Sequence, residues 1–142
     1  MEFFQKRRKF SYLITLKPSR CMIHQANPPA RVLMDEGAAI RDYILANLTY
    51  RDDRLHIDLL AKKFLKSPST LKKVFKTCFD LPVHEFIVCK RMQLAWHLLV
   101  QKKLPISDIA AITGYPELSN FSRDFKKYYG YSPRHFQDKG PF

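Results

Sequence analysis

Apolar residues fall into a helical rhythm from Met34 onward. Ile40, Tyr43, Ile44 and Leu48 recur at spacings of three and four, the period of one helix face. Asp35 and Glu36 lie near the start of that stretch, where the helix dipole favours acids. Ile57, Leu59, Leu60 and Ala61 predict a short second helix. Ser67-Pro68 is a start signal, because serine caps exposed amides and proline tolerates the first helical position. The helix it opens places Leu71, Val74, Phe75, Cys78 and Phe79 on one side. A long helix follows from about Pro82 to Gln101, with Phe86, Ile87, Leu94, Ala95, Leu98 and Leu99 facing inward. Pro105 breaks the chain, and Ile106, Ile109, Ala110 and Ile112 make another short helix. Gly114 ends it, where a left-handed residue is needed. Leu118, Phe121 and Phe125 face inward on the next helix, which stops near Gly130. Ser132-Pro133 opens a last short helix to about Gln137. The pattern predicts an all-α fold of about seven helices.

Residues 1–33 read differently. Phe10 to Leu16 (FSYLITL) is a short β-prone run behind the basic cluster Gln5-Lys6-Arg7-Arg8-Lys9. Asn27-Pro28-Pro29 is read as a linker or boundary, since proline lacks the backbone donor that a helix interior or central strand needs. One strand cannot bury its face alone, so this segment is a poorly ordered arm or the remnant of a larger domain.

The chain resembles itself at an offset of about 50 residues. FKTCFDLPVHEF from Phe75 aligns with FKKYYGYSPRHF from Phe125. Upstream, Ile57 to Ala61 matches Ile106 to Ala110 after one residue of slip in the turn. A unit of short helix, turn and second helix therefore occurs twice, joined by the long helix. With a basic outer face on the second helix, this is the helix-turn-helix pattern. The first helix braces the second, whose exposed N-terminal residues can enter a major groove of roughly 12 Å.

Charge adds to that picture. Twenty-five Lys and Arg against thirteen acids give a formal +12, which favours a polyanionic partner through counterion release. An apolar fraction of 46% is enough for a core, and four glycines argue against a turn-dense β fold. Cys21, Cys78 and Cys89 form no spaced framework and read as thiols in a reducing compartment. Cys21 and His24 have a C-x-x-H spacing, but no second pair completes a zinc site. No phosphate-binding glycine loop or nucleophile-base arrangement stands out, so neither an enzyme nor a cofactor is expected. No apolar run approaches the roughly 20 residues that span a bilayer, and the N-terminus lacks the apolar region of a secretory signal. The cytoplasm is the expected location.

Residues 55–136 resemble the C-terminal DNA-binding domain of the AraC/XylS family of bacterial transcription regulators. The resemblance lies in Lys90-Arg91-Met92-Gln93-Leu94-Ala95, Leu98-Leu99, Ile106-Ser107-Asp108-Ile109-Ala110, Gly114-Tyr115, and Ser119 to Pro133 (SNFSRDFKKYYGYSP). Together with the helix from Met34, it covers the family's seven-helix domain. It implies residues 34–137 as that domain, with the first helix-turn-helix at about 55–79, a linker helix at about 82–101 and the second helix-turn-helix at about 105–129. The implied function is sequence-specific control of transcription, with two helices reading adjacent major-groove segments. Double-stranded DNA is then the partner, RNA polymerase a further one, and the nucleoid the place. A monomer fits, because two reading heads lie in one chain. The chain departs from the family at Trp96, where a polar or small residue is usual, and at Phe64-Leu65-Lys66, a turn lacking the usual glycine. Residues 1–33 are also too short for the family's effector domain, which leaves a stand-alone module or the tail of a longer regulator.

The candidate contacts follow from the helix faces. In the first unit Ser69, Lys72 and Lys73 are candidates for base edges and Lys76 for phosphate. In the second, Ser119, Asn120, Ser122 and Arg123 form the outward set, with Lys126 and Lys127 for phosphates. Asn pairs bidentately with adenine and Arg with guanine. Ser67 and Ser132 read as helix caps. Tyr128, Tyr129 and Tyr131 occupy the repeat positions of Cys78, Phe79 and Leu81, which favours packing over base stacking. The rival reading is a helical protein-interaction module with weak, non-specific DNA binding.

Overall fold

The computed structural model describes residues 28–49 and 55–140. Among them the chain forms seven helices and no strand. They are α1 (Pro28–Ala46), α2 (Ile57–Lys63), α3 (Pro68–Phe79), α4 (Val83–Gln101), α5 (Ile106–Ile112), α6 (Leu118–Tyr129) and α7 (Pro133–Lys139). The β-prone run Phe10 to Leu16, the basic cluster at residues 5–9, Cys21 and His24 lie outside the described residues. The chain divides into two units, residues 1–34 and 35–142. Of the first, only the opening turns of α1 are described.

Helix α1 begins at Pro28, six residues before the helical period becomes visible. The two prolines open a helix here, so of linker and boundary they serve as the boundary. The first amides of a helix have no partner four residues back, so the missing proline donor costs no hydrogen bond there. At the other end the Asn47 side chain donates to the Tyr43 carbonyl at 2.8 Å. Ser67 and Ser132 cap α3 and α7, their hydroxyls accepting from the Thr70 and His135 amides at 3.2 Å each. Left-handed residues stop α3 at Asp80, α4 at Lys102 and α6 at Gly130.

The first helix-turn-helix packs α2 on α3, and α3 on the start of α4. Its core holds Leu60, Leu71, Phe75 and Phe86. Phe86, at the first turn of α4, meets Phe75 edge-on with centroids 5.2 Å apart. Residues from α1 close this core, where Ile40 and Ile44 are fully buried and Tyr43 meets Phe64 edge-on. Gly37 permits a close approach: a methyl group there would lie 2.4 Å from the Cys78 sulfur. Glu36 also pairs with Lys66 at 3.1 Å.

The second core gathers Met92, Ala95 and Leu99 of α4 with Ile109, Ala110, Phe121, Phe125 and Phe136. Helix α4 thus serves both cores, its N-terminal turns packing on the first and its later turns on the second. That double duty explains why its apolar positions wrap around the helix instead of forming one stripe. Leu94 and Leu98, expected inward, are half-buried at the side. Trp96 lies between Tyr129 and Phe136, with centroids 4.8 and 4.5 Å away. Its departure from the family pattern fills space inside the second subdomain.

Candidate nucleic-acid interface

Both units present their second helix through the same turn. After α2, the Leu65 amide donates to the Lys62 carbonyl and the Lys66 amide reaches back to Ala61, at 3.2 and 2.9 Å. After α5, Gly114 donates to Ala111 and Tyr115 to Ala110, at 3.1 and 2.9 Å. This pair of bonds ends a helix through one left-handed residue. In the second turn that residue is Gly114, at φ 85°. In the first it is Leu65, at φ 52°. The glycine-free turn therefore keeps the usual geometry, with Leu65 bearing a Cβ clash worth about 1–2 kcal/mol. Two further residues separate Leu65 from α3, and three separate Gly114 from α6, which locates the one-residue slip of the repeat.

Helix α3 turns Leu71, Val74 and Phe75 inward. Ser69, Lys72, Lys73 and Lys76 are all exposed on its other side. Thr70 lies near the Ser67 cap, their hydroxyls 2.8 Å apart, and Thr77 donates to the Lys73 carbonyl. That leaves the three lysines and Ser69 as the outward chemistry of α3, with no acid on the helix.

Helix α6 buries Phe121 and Phe125. Ser119, Arg123, Lys126 and Lys127 are exposed on its outer arc, while Asn120 and Ser122 are half-buried on opposite flanks. Leu118 does not face inward as its spacing to Phe121 suggests; it is 46% exposed. As the first residue of α6 it precedes the turn that meets the core. In the repeat Leu118 pairs with Pro68, and the inward stripe starts one turn later at Leu71 and Phe121.

Helix α6 also carries an acid, Asp124, which the candidate set omits. One of its carboxylate oxygens accepts from the Tyr115 hydroxyl at 3.1 Å. The other lies 3.6 Å from Arg123 Nε. The turn and the recognition helix are thereby joined beside the arginine. Burial pushes the Tyr115 pKa well up and the Asp124 charge adds to the shift, so the hydroxyl stays protonated and donates. Arg91 of α4 lies over Gly114, where any Cβ would fall 2.8 Å from its guanidinium. Its Nε is buried without a hydrogen-bond partner among the described residues, and burial lowers its pKa. No motif marked these contacts, because they join residues from α4, the turn after α5, and α6.

Tyr128, Tyr129 and Tyr131 pack against the second core. The Tyr129 hydroxyl donates to the Met92 carbonyl at 2.9 Å, and Tyr131 stacks on Phe136. These rings are structural. Burial raises the thiol pKa values of Cys78 and Cys89, which keeps both protonated and weakly nucleophilic. No helix among the described residues is long and apolar enough to cross a membrane.

Comparison with known proteins agrees with this geometry. The helix-turn-helix domain family matches residues 60–139. Regulatory protein SoxS of Escherichia coli K12 is 30% identical over 106 residues, covering 75% of this chain and 99% of that protein. The Msm operon regulatory protein of Streptococcus mutans is 36% identical over 83 residues, covering 58% of this chain. The chain spans only 30% of that relative's length. Among solved structures, the C-terminal domain of the two-component response regulator yesN from Fusobacterium nucleatum superposes with a TM-score of 0.68 at 28% identity. That likeness covers 72% of this chain and 98% of the other. With two turns of one geometry, each presenting a basic second helix, the chain belongs to the AraC/XylS family of helix-turn-helix transcription regulators.

Proposed function

We propose that the chain binds double-stranded DNA at promoters or operators, laying α3 and α6 into adjacent major-groove segments. The observation that carries this reading is the repeated outward face. Ser69, Lys72, Lys73 and Lys76 on α3, and Ser119, Arg123, Lys126 and Lys127 on α6, are exposed behind turns of identical hydrogen bonding. In this reading Ser69, Lys72, Lys73, Ser119, Asn120, Ser122 and Arg123 address base edges. Lys76, Lys126 and Lys127 address phosphates, which position the protein without specifying sequence. Residues 34–137 act as the DNA-binding domain. The chain binds as a monomer with two heads, works at the nucleoid, and meets RNA polymerase on the promoter.

Selection of bound sequences from a random duplex pool, followed by a salt titration, tests this reading. One preferred site spanning two major-groove segments is expected, with affinity falling steeply as salt rises. Equal binding to random duplexes with a flat salt response would instead make the chain a protein-interaction module.

A further inference from the structure

We propose that Leu118 is a further specificity-determining residue, which reads the C5 methyl group of a thymine. The inference rests on the reading of α6 as a recognition helix. Leu118 is the first residue of α6 and is 46% exposed, whereas Phe121 and Phe125 on the same helix are fully buried. Its neighbours Pro116, Glu117 and Ser119 are exposed too, so the start of α6 is open to solvent. In the first unit the matching residue is Pro68, half-buried at the start of α3. At this position the two heads therefore differ in how much apolar surface they leave open.

A leucine cannot donate or accept a hydrogen bond. Of the base-pair edges in the major groove, only thymine offers an apolar group to meet it, the C5 methyl. The rest of the outward surface of α6 is polar or cationic: Ser119, Arg123, Lys126 and Lys127. Those groups hold the helix to a polyanion and read hydrogen-bond patterns, while Leu118 adds the apolar contact they lack. Burying the leucine against a methyl also removes from water a surface that the folded chain leaves exposed.

Deoxyuridine supplies the test, because it keeps every hydrogen-bonding group of thymine and lacks the methyl. Each thymine of the selected site is replaced by deoxyuridine in turn, and binding is measured for the full chain and for Leu118→Ala and Leu118→Met. At one thymine the native chain should bind about three- to fourfold more weakly without the methyl, the worth of one buried carbon. That penalty should vanish in Leu118→Ala and persist in Leu118→Met, and both variants should still melt cooperatively, because the side chain lies outside the buried core. A site with no deoxyuridine-sensitive thymine, or a penalty that survives Leu118→Ala, overturns the role of Leu118 alone. A chain that binds the selected and random duplexes equally overturns this inference together with the recognition reading beneath it.

Discussion

The two helix-turn-helix units share one backbone plan and fill it with different chemistry. In the second unit the left-handed turn residue is a glycine with the Arg91 guanidinium lying over it. In the first it is a leucine, 94% exposed. The second recognition helix has an aromatic core behind it, with Phe121, Phe125, Tyr129 and Phe136 in ring contact. The first leans on Phe75, Phe79 and Phe86, together with Leu71 and Val74. On the outside, α3 offers three lysines and no acid, while α6 places Arg123 beside Asp124. Backbone hydrogen bonds thus hold the geometry of a turn even where the side chain opposes it. Outer-face chemistry then varies freely on a fixed frame.

The largest test of the shared plan lies in the cores. Phe75→Ala and Phe125→Ala remove equivalent, fully buried rings, and each should cost about 3–5 kcal/mol in urea denaturation. A loss confined to one of them would break the equivalence of the two units.

The next test separates the reading heads. Arg123→Ala should relax preference at one base pair by about 1–3 kcal/mol of discrimination, measured by competition between the selected site and its single-base variants. Lys76→Ala should weaken all duplexes alike and lower the salt slope by about one. Uniform weakening by the arginine variant would remove the distinction between a base-reading Arg123 and a phosphate-gripping Lys76.

The turns give a pair of opposite sign. Gly114→Ala places a Cβ at positive φ and against Arg91, and should destabilise by about 1–2 kcal/mol. Leu65→Gly relieves the matching strain and gives up little packing, so it should stabilise by about 1 kcal/mol. Thermal melts of the two variants check both. If Leu65→Gly destabilised instead, the leucine would be holding the turn through contacts that its exposure does not suggest.

Much of this was legible in the residue order. Serine caps at Ser67 and Ser132, the stop at Gly130 and the repeat of Phe75 and Phe86 at Phe125 and Phe136 all depend on neighbours or on a fixed offset. They mark boundaries and cores without a fold in hand. Where the reading failed, it misjudged a local rule. The helical start expected at Met34 lies at Pro28, because prolines that break a helix interior suit its first turn, and Leu118 lies near the apolar stripe by spacing yet ahead of the core in space.

The sequence by itself determined that there are two helix-turn-helix units, because periodicity, capping and repetition are properties of near neighbours. The exposed lysines of α3 and Arg123 of α6 follow from the same periodicity, since a side chain opposite a buried stripe faces solvent. Only the tertiary structure decided what surrounds each reading helix. Tyr115 meets Asp124, Arg91 covers Gly114, Trp96 fills the second core and Leu118 is left outside. Those outcomes depend on the approach of separate helices, and long-range packing leaves no period in the chain to read.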